Sequence, residues 1–213
     1  MTNTSIILAA LEQAWEKIRK QHKDVPAAIL VVASGSKKGS NSLTLGHYAE
    51  GRWATKRGKK PTTPEVLISG EGFQRSGVEV LGTLLHEAAH GMAATRGVQD
   101  TSRGGRYHNQ IFRQLAEELG LKVEQDGTRG WSYTEVPPAT QKRWKETIKN
   151  LNKAIKTFRF AEKGPGKKKK SENRQLLAVC RCKPKTKIRL SRAAYEKADI
   201  VCWACSYPFR VVE

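Results

Sequence analysis

Residues 77–95 read GVEVLGTLLHEAAHGMAAT, and this stretch decides the fold and the chemistry of the chain. Its apolar residues recur at intervals of three and four, which predicts an amphipathic helix from about Gly77 to Thr95. These residues are Val78, Leu81, Leu85, Ala88 and Met92. A helix at this point places the letters HEAAH, residues 86–90, on its central turns.

The HEAAH letters give an HExxH pattern, which is typical of hydrolytic zinc sites. Residues four apart on a helix lie almost above one another, so His86 and His90 can bind the same metal ion. Glu87 is displaced by about 100° from His86 and can stand beside the open position without being a ligand. In sites of this kind zinc polarises the scissile carbonyl and acidifies a water molecule. We therefore expect His86 and His90 to be zinc ligands and Glu87 to be the catalytic base of a peptidase.

A catalytic zinc site usually has a third protein ligand. One arrangement would need a histidine at position 96, but the chain has Arg96. His108 is the preferred candidate, because it follows a glycine-containing basic loop and stands at the start of the next predicted helix. Glu117 and Glu118 on that helix are carboxylate alternatives, and His47 is a remote one.

The oxyanion donor is less well defined by the sequence. Tyr107 and Tyr133 are candidates, and ordinary packing explains both equally well.

The remaining hydrophobic pattern predicts an α+β chain. The predicted helices cover residues 5–20, 77–95, 109–119 and 137–160, and the predicted strands cover 27–33, 43–53, 65–69 and 121–124. Residues 161–173, AEKGPGKKKKSEN, are polar, basic and rich in helix breakers, which predicts a linker. The sequence therefore divides into a domain over 1–160, a basic linker over 161–173 and a cysteine module over 174–213.

All four cysteines lie in the last part of the chain, as Cys180-x-Cys182 and Cys202-x-x-Cys205. Four thiolates in two such pairs can hold one structural zinc tetrahedrally. No export signal or membrane-spanning run is recognisable, so we expect a reducing compartment, the cytoplasm, with nucleoid or nuclear association where DNA is bound. Disulfides and free buried thiols are the alternatives to zinc.

The net charge of +19 favours a polyanionic partner, nucleic acid before an anionic membrane. Residues 160–213 carry 14 Lys/Arg and only 5 Asp/Glu. No base-reading motif is visible, so little sequence preference is expected. The candidate phosphate-binding residues, in the linker and between the cysteine pairs, are Lys167, Lys168, Lys169, Lys170, Lys185, Lys187, Arg189 and Arg192. Tyr195 and Trp203 lie among them and suit base stacking, although they can equally cover the metal.

Three segments together resemble the SprT-like zinc metalloprotease family, which includes the Spartan protease of DNA–protein crosslink repair. They are HEAAH at 86–90, RYHNQIFRQLAEELGL at 106–121, and the cysteine pairs VCRC at 179–182 and CWAC at 202–205. The resemblance covers most of the chain. Gly91 departs from it, since alanine commonly follows the second histidine in that family.

The resemblance implies a compact, zincin-like α+β protease domain whose HExxH helix packs on a small sheet, followed by a zinc ribbon. It also implies His86, His90 and His108 as ligands of a catalytic zinc, Glu87 as base, and protein substrates attached to DNA. Two other functions remain open at this point: a non-catalytic nucleic-acid-binding protein with two zincs, and a zinc peptidase with one dedicated regulatory target. The sequence does not indicate the oligomeric state.

Overall fold

The computed structural model describes residues 3–36, 42–57, 60, 62–161 and 175–212. By its internal contacts the chain divides into two compact units, Met1–Gly164 and Pro165–Glu213. All but the first residue of the predicted linker, and with it Lys167–Lys170, lies outside the described residues.

The first unit mixes helices with two small sheets, so the α+β class expected from the sequence is confirmed. Its helices are α1 (Asn3–Gln21), α2 (Gly77–Arg96), α3 (Gln110–Glu118), α4 (Pro138–Arg143) and α5 (Lys145–Ala154), with a short 3-10 helix at Gly70–Gln74. Its strands are β1 (Ile29–Ala33), β2 (Gly46–Trp53), β3 (Thr63–Ser69), β4 (Thr101–Ser102), β5 (Tyr107–His108), β6 (Lys122–Asp126) and β7 (Gly130–Glu135).

The first sheet has the strand order β1-β3-β2. β1 runs parallel to β3, and β2 runs antiparallel to it. Among the described residues β2 is therefore an edge strand. It packs against α2 through its first half, where Gly46 lies close to Thr83 and Glu87.

The second sheet has the strand order β4-β5-β7-β6 and carries the third histidine. His108 is paired with Thr101 in β4 and with Gly130 in β7. The sequence predicted His108 at the start of a helix that Asn109 caps; the Asn109 cap is confirmed, whereas His108 itself lies in β5. β7 was not predicted, although Trp131, Ser132, Tyr133 and Thr134 alternate between aromatic and polar side chains.

Helix α2 begins and ends with strong local signals. The Ser76 and Glu79 side chains form a capping box at its start, and Gly97, with φ of 65°, ends it in the left-handed conformation that favours glycine. The helix packs on α1, α3, α5 and β2. It is thus central to the core of the unit, and Leu81, Leu84, Leu85, Ala88 and Met92 are all fully buried.

The prediction of one continuous helix over residues 137–160 is wrong. It is interrupted at Trp144, whose φ of −98° and ψ of 15° leave the helical region, and it ends at Ala154. Residues 155–161 form no helix. The backbone N–H of Arg159 instead donates to the carbonyl of Gly70, and its guanidinium donates to Glu71. These tertiary bonds replace the helical ones that the local sequence would have formed.

The described residues of the second unit, 175–212, form three short strands and one helix. They are β8 (Leu176–Val179), β9 (Lys187–Leu190), α6 (Arg192–Lys197) and β10 (Arg210–Val211), with the strand order β10-β8-β9. Its buried core is small and consists of Ala178, Cys180, Cys202 and Phe209. In the described part of the chain, no helix is both long and apolar enough to cross a bilayer.

Candidate metal centres

Two elements bring the three histidines together. His86 and His90 lie one turn apart on α2, and β5 places His108 opposite them. The backbone N–H of His108 donates to the carbonyl of Arg129 at 2.9 Å, which fixes β5 to the segment before β7. One ring nitrogen from each of His86, His90 and His108 lies within 4.8 Å of the others.

The spacing of these nitrogens fits a transition metal. Nε2 of His90 and Nε2 of His108 lie 3.3 Å apart. Two ligands at 2.0–2.1 Å from a tetrahedral zinc are separated by about 3.3–3.4 Å. The three histidines could therefore hold one zinc ion.

Two oxygen atoms orient the helix imidazoles. Asp100 Oδ2 lies 2.5 Å from Nδ1 of His90, and Thr134 Oγ1 lies 3.2 Å from Nδ1 of His86. An acceptor at Nδ1 keeps the proton there and leaves the lone pair on Nε2, the arrangement usual for a metal-bound histidine. Nδ1 of His108 is buried and has no hydrogen-bond partner in the part of the chain that the structure describes.

Phe112 packs beneath all three imidazoles. It lies on α3, four residues after His108, and is fully buried. Its ring centroid lies 4.7 Å from that of His86, 4.8 Å from that of His90 and 4.4 Å from that of His108. The Phe112 ring therefore limits how far each imidazole can rotate.

The electrostatics of the site favour neutral imidazoles at two positions. Burial lowers the pKa of His86 well below its usual value and lowers the pKa of His108 to about 4. Burial also acts to lower the pKa of His90, but its hydrogen bond to Asp100 and the nearby charge of Glu87 raise that pKa overall. Neutral imidazole is the form that binds a metal.

Glu87 lies next to the histidine group and outside it. Its side chain is almost completely buried, and the nearby backbone N–H of Tyr48 in β2 favours its charged form, which acts to lower its pKa. Burial raises the pKa of Glu87 to about 7, although His90 and the Tyr48 N–H act to lower it. A carboxylate with such a pKa can take up and release a proton near neutral pH.

The histidines and Glu87 line a cleft of about 1430 Å³. One wall is the edge strand β2 with the residues before it, from Ser42 to Tyr48, and the opposite wall includes residues of β7. The cleft is large enough to hold several residues of an extended polypeptide.

Several predicted alternatives lie elsewhere. Glu117 pairs with Arg113, and Glu118 pairs with Arg96, on exposed surface away from the histidine group. His47 is exposed on β2 and lines the cleft without joining the three ligands.

The two candidate oxyanion donors differ in position. Tyr133 is 59% exposed and lines the cleft. Tyr107 does not line it; instead its ring lies 4.8 Å from the guanidinium of Arg103. Of the two, only Tyr133 is placed to reach a bound substrate.

The four cysteines form a second group that could hold a metal. Their sulfur atoms all lie within 4.8 Å of one another. The Sγ atoms of Cys182 and Cys202 are 3.7 Å apart, close to the roughly 3.8 Å expected between two thiolates bound to tetrahedral zinc. The backbone N–H groups of Cys182 and Thr186 point at Cys180 Sγ and favour its thiolate.

The basic residues of the second unit flank this cysteine group. Lys185, Lys187 and Arg189 are exposed, and β9 directs its alternate residues, Ile188 and Leu190, towards the small core. Arg192 is also exposed, and its Nη1 lies 3.8 Å from Oε1 of Glu196.

The two aromatic candidates for base stacking differ in how exposed their side chains are. Trp203 is 98% exposed, whereas Tyr195 is half-buried and donates its hydroxyl to the carbonyl of Phe209. Trp203 is therefore free to stack on a ligand, and Tyr195 contributes to the unit's own structure.

Sequence reasoning missed Asp100, Thr134 and Phe112. Asp100 is the only acidic residue in the loop 97–106, which was a usable signal. The position of Phe112 on α3, four residues after His108, was a second usable signal. Thr134 lies in the strand that was not predicted.

Comparison with protein-family models finds no match for this chain, and comparisons with curated proteins and with solved structures find none either.

Proposed function

We propose that this chain is a zinc-dependent endopeptidase of the SprT-like, zincin-like kind, acting on proteins that are bound or crosslinked to DNA. One observation carries the proposal: three imidazoles converge in a cleft directly beside a buried carboxylate, Glu87. In the part of the chain that the structure describes, no fourth histidine, cysteine or carboxylate joins the group. Three protein ligands are typical of catalytic zinc sites, whereas structural sites usually have four.

His86, His90 and His108 would hold the zinc, with Asp100 and Thr134 fixing the two helix imidazoles. When bound, zinc would act as a Lewis acid that polarises the scissile carbonyl and makes a nearby water molecule more acidic. Glu87 would accept the proton of the attacking water on its carboxylate and pass it to the leaving amine. The nearby backbone N–H of Tyr48 would favour the charged carboxylate that this transfer requires.

The edge strand β2 would position the substrate. An extended peptide can add to a free sheet edge through main-chain hydrogen bonds, which requires no particular side-chain sequence. β2 is at the edge of its sheet among the described residues, and its first half lines the cleft next to Glu87. This arrangement supports an endopeptidase with broad sequence tolerance.

The second unit would supply contacts to DNA. A fully exposed Trp203, in the same unit as the exposed Lys185, Lys187 and Arg189, supports phosphate contact combined with base stacking. A cysteine-bound structural zinc would stabilise this unit, since only four of its described residues are buried.

The decisive test is the Glu87→Gln variant of the full-length chain, compared with the parent chain. Both would be loaded with zinc, analysed for metal, and incubated with a DNA-bound protein substrate with and without the DNA. We expect two zinc ions in both chains, DNA-stimulated cleavage by the parent and none by the variant. Normal cleavage by Glu87→Gln would remove Glu87 as the base, and cleavage indifferent to DNA would favour a peptidase with one dedicated target.

A further inference from the structure

The end of the first unit presents a basic and aromatic surface that neither metal centre uses. We call it the lysine–phenylalanine surface. It comprises Lys145, Lys149 and Lys153 of α5 together with Lys156, Phe158 and Phe160 of the non-helical segment 155–161.

The packing of α5 explains why its lysines point outward. Thr147 and Leu151 are buried against the core, and Asn152 accepts a hydrogen bond from the backbone N–H of Gly77 at the start of α2. Lys145, Lys149 and Lys153 follow one another at intervals of four, so they form a row on the opposite face. All three are exposed, and none forms an ion pair with any residue that the structure describes.

The segment after α5 directs its aromatic residues away from the core. Arg159 points inward, with its guanidinium 2.8 Å from the buried carboxylate of Glu71. Phe158, Phe160 and Lys156 are instead exposed.

The two phenylalanine rings form an exposed pair. Phe160 is 78% exposed and Phe158 is 43% exposed, and their ring centroids lie 5.1 Å apart. Phe158 lies five positions after Lys153, so at most about 18 Å of chain joins the lysine row to the rings.

This part of the chain is also strongly basic. Residues 138–161 contain seven Lys/Arg and a single acidic residue, Glu146. Lysines without an ion pair among the described residues, followed closely along the chain by two exposed rings, combine the two features by which proteins bind single strands, a positive track for phosphates and a stacking platform for unpaired bases.

We propose that the lysine–phenylalanine surface binds single-stranded nucleic acid, giving the first unit a contact of its own that is separate from the basic residues of the second unit. The inference deepens the DNA-associated part of the proposed function and does not depend on the peptidase chemistry. Single strands are favoured over duplex because only unstacked bases can lie against the phenylalanine rings.

The packing of α5 argues against a membrane as the partner. Helices that lie on a bilayer expose an apolar face that inserts between the headgroups. α5 buries its apolar residues against α1 and α2, and its exposed face carries lysines. Two rings alone leave little apolar area to insert.

The test measures binding of a fluorescent oligo(dT) to the full-length, zinc-loaded chain carrying Glu87→Gln, which removes any effect of self-cleavage. Replacing Phe158 and Phe160 together by Leu should weaken binding at least about fivefold, since stacking is lost while apolar area is kept. Replacing both by Trp should retain binding. Replacing Lys145, Lys149 and Lys153 by Gln should reduce the slope of log K against log salt concentration by about 2.

A matched control removes the same charge from another part of the unit, with Lys56, Arg57 and Lys60 replaced by Gln. If this control lowers the salt slope as much as the α5 triple variant, or if the Leu pair binds like the parent, the proposal is overturned.

Photocrosslinking with an iodouracil-containing single strand should label Phe158 or Phe160, and labelling confined to residues 175–212 would also overturn the proposal. If the Leu pair and the α5 triple variant lose binding to vesicles of phosphatidylserine and phosphatidylcholine, while their binding of oligo(dT) is unchanged, the surface would be assigned to membranes instead. Weaker oligo(dT) binding by the Leu pair and by the α5 triple variant, together with absence of proteolysis by the parent chain, would leave this inference standing and remove only the peptidase proposal.

Discussion

Nδ1 of His90 lies 2.5 Å from Oδ2 of Asp100, and both side chains are largely buried. The carboxylate thus fixes the ring of a candidate ligand in the orientation that directs Nε2 at the position shared with His108. Asp100→Asn keeps the size of the side chain but removes its charge, so we expect the affinity of the histidine group for zinc to fall about 10- to 100-fold. Competition with a chelator of known affinity measures this change. Asp24→Asn, at an exposed aspartate paired with Arg96, is the matched control and should leave the affinity unchanged.

His108 should be required for the metal of the first unit. In the His108→Ala chain we expect one zinc ion per chain instead of two, because two imidazoles alone bind zinc weakly. Elemental analysis after dialysis checks this count. Glu117→Ala tests the alternative third ligand directly, and it should still give two ions. A result of one ion for Glu117→Ala and two for His108→Ala would reverse the assignment.

Gly46 should be required for the position of Glu87. A Cβ atom at Gly46 would lie 2.5 Å from Glu87 Oε1 and 2.7 Å from Thr83 Cγ2, so Gly46→Ala must displace the carboxylate or the strand. We expect kcat/KM for peptide cleavage to fall at least about tenfold with both zinc ions retained, since small displacements of a catalytic group are costly. Gly127→Ala is the control, because a Cβ there would meet nothing within 4 Å. Equal activities of the two variants would contradict the proposed role of the strand.

Glu71 should stabilise the first unit in a pH-dependent way. Its buried carboxylate accepts hydrogen bonds from Ser34, Gly35, Ser36, Ser69 and Arg159. Burial acts to raise the pKa of Glu71, but these bonds hold it well below its usual value. We expect Glu71→Gln to lower the free energy of unfolding by about 2 kcal/mol at pH 7.

The sign of the pH dependence follows from the lowered pKa. The stabilisation by Glu71 is present above the pKa of an unfolded glutamate, about 4.3, and is lost as the pH falls below it. The difference in unfolding free energy between the parent and Glu71→Gln should therefore shrink from pH 6 to pH 3 in urea titrations. Glu117→Gln, on exposed surface, should change the free energy by less than about 0.5 kcal/mol across this range.

The cysteine group should hold the second unit together. Because only four of the described residues of this unit are buried, metal binding would supply much of its folding free energy. Cys202→Ser should reduce the zinc count from two to one and collapse the amide NMR dispersion of residues 175–212, with the spectrum of the first unit unchanged. Trp203→Ala, at an exposed neighbour, should leave both the zinc count and the spectrum of this unit intact.

A packing contact explains the glycine that follows the second histidine. A Cβ at Gly91 would lie 2.9 Å from Pro26 Cδ and 3.4 Å from Tyr48 Cε2. Pro26, three residues before β1, and the ring of Tyr48 in β2 therefore approach α2 closely at this point. An alanine at position 91 would meet these residues, which lie far away in the chain.

Local sequence was enough for most of the elements. The helices at 3–21, 77–96 and 110–118 and the strands around 29–33, 46–53 and 63–69 all lie within a few residues of their predicted bounds. Each has a strong periodic pattern or a cap, such as the Ser76–Glu79 box at α2. Prediction from sequence failed where a short alternating pattern was passed over, as in β7, and where long-range bonds competed with the local pattern, as at Arg159.

The sequence by itself determined that two histidines and a glutamate share neighbouring turns of one helix, because residues four apart on a helix always lie on one face. It likewise determined the two cysteine pairs by their spacing. Only the tertiary structure decided that His108, rather than Glu117 or Glu118, faces the helix histidines, and that Asp100, Thr134 and Phe112 surround them. Those side chains come from loops and strands whose positions depend on long-range pairing and on packing against α2, and neither is encoded in any local stretch of the chain.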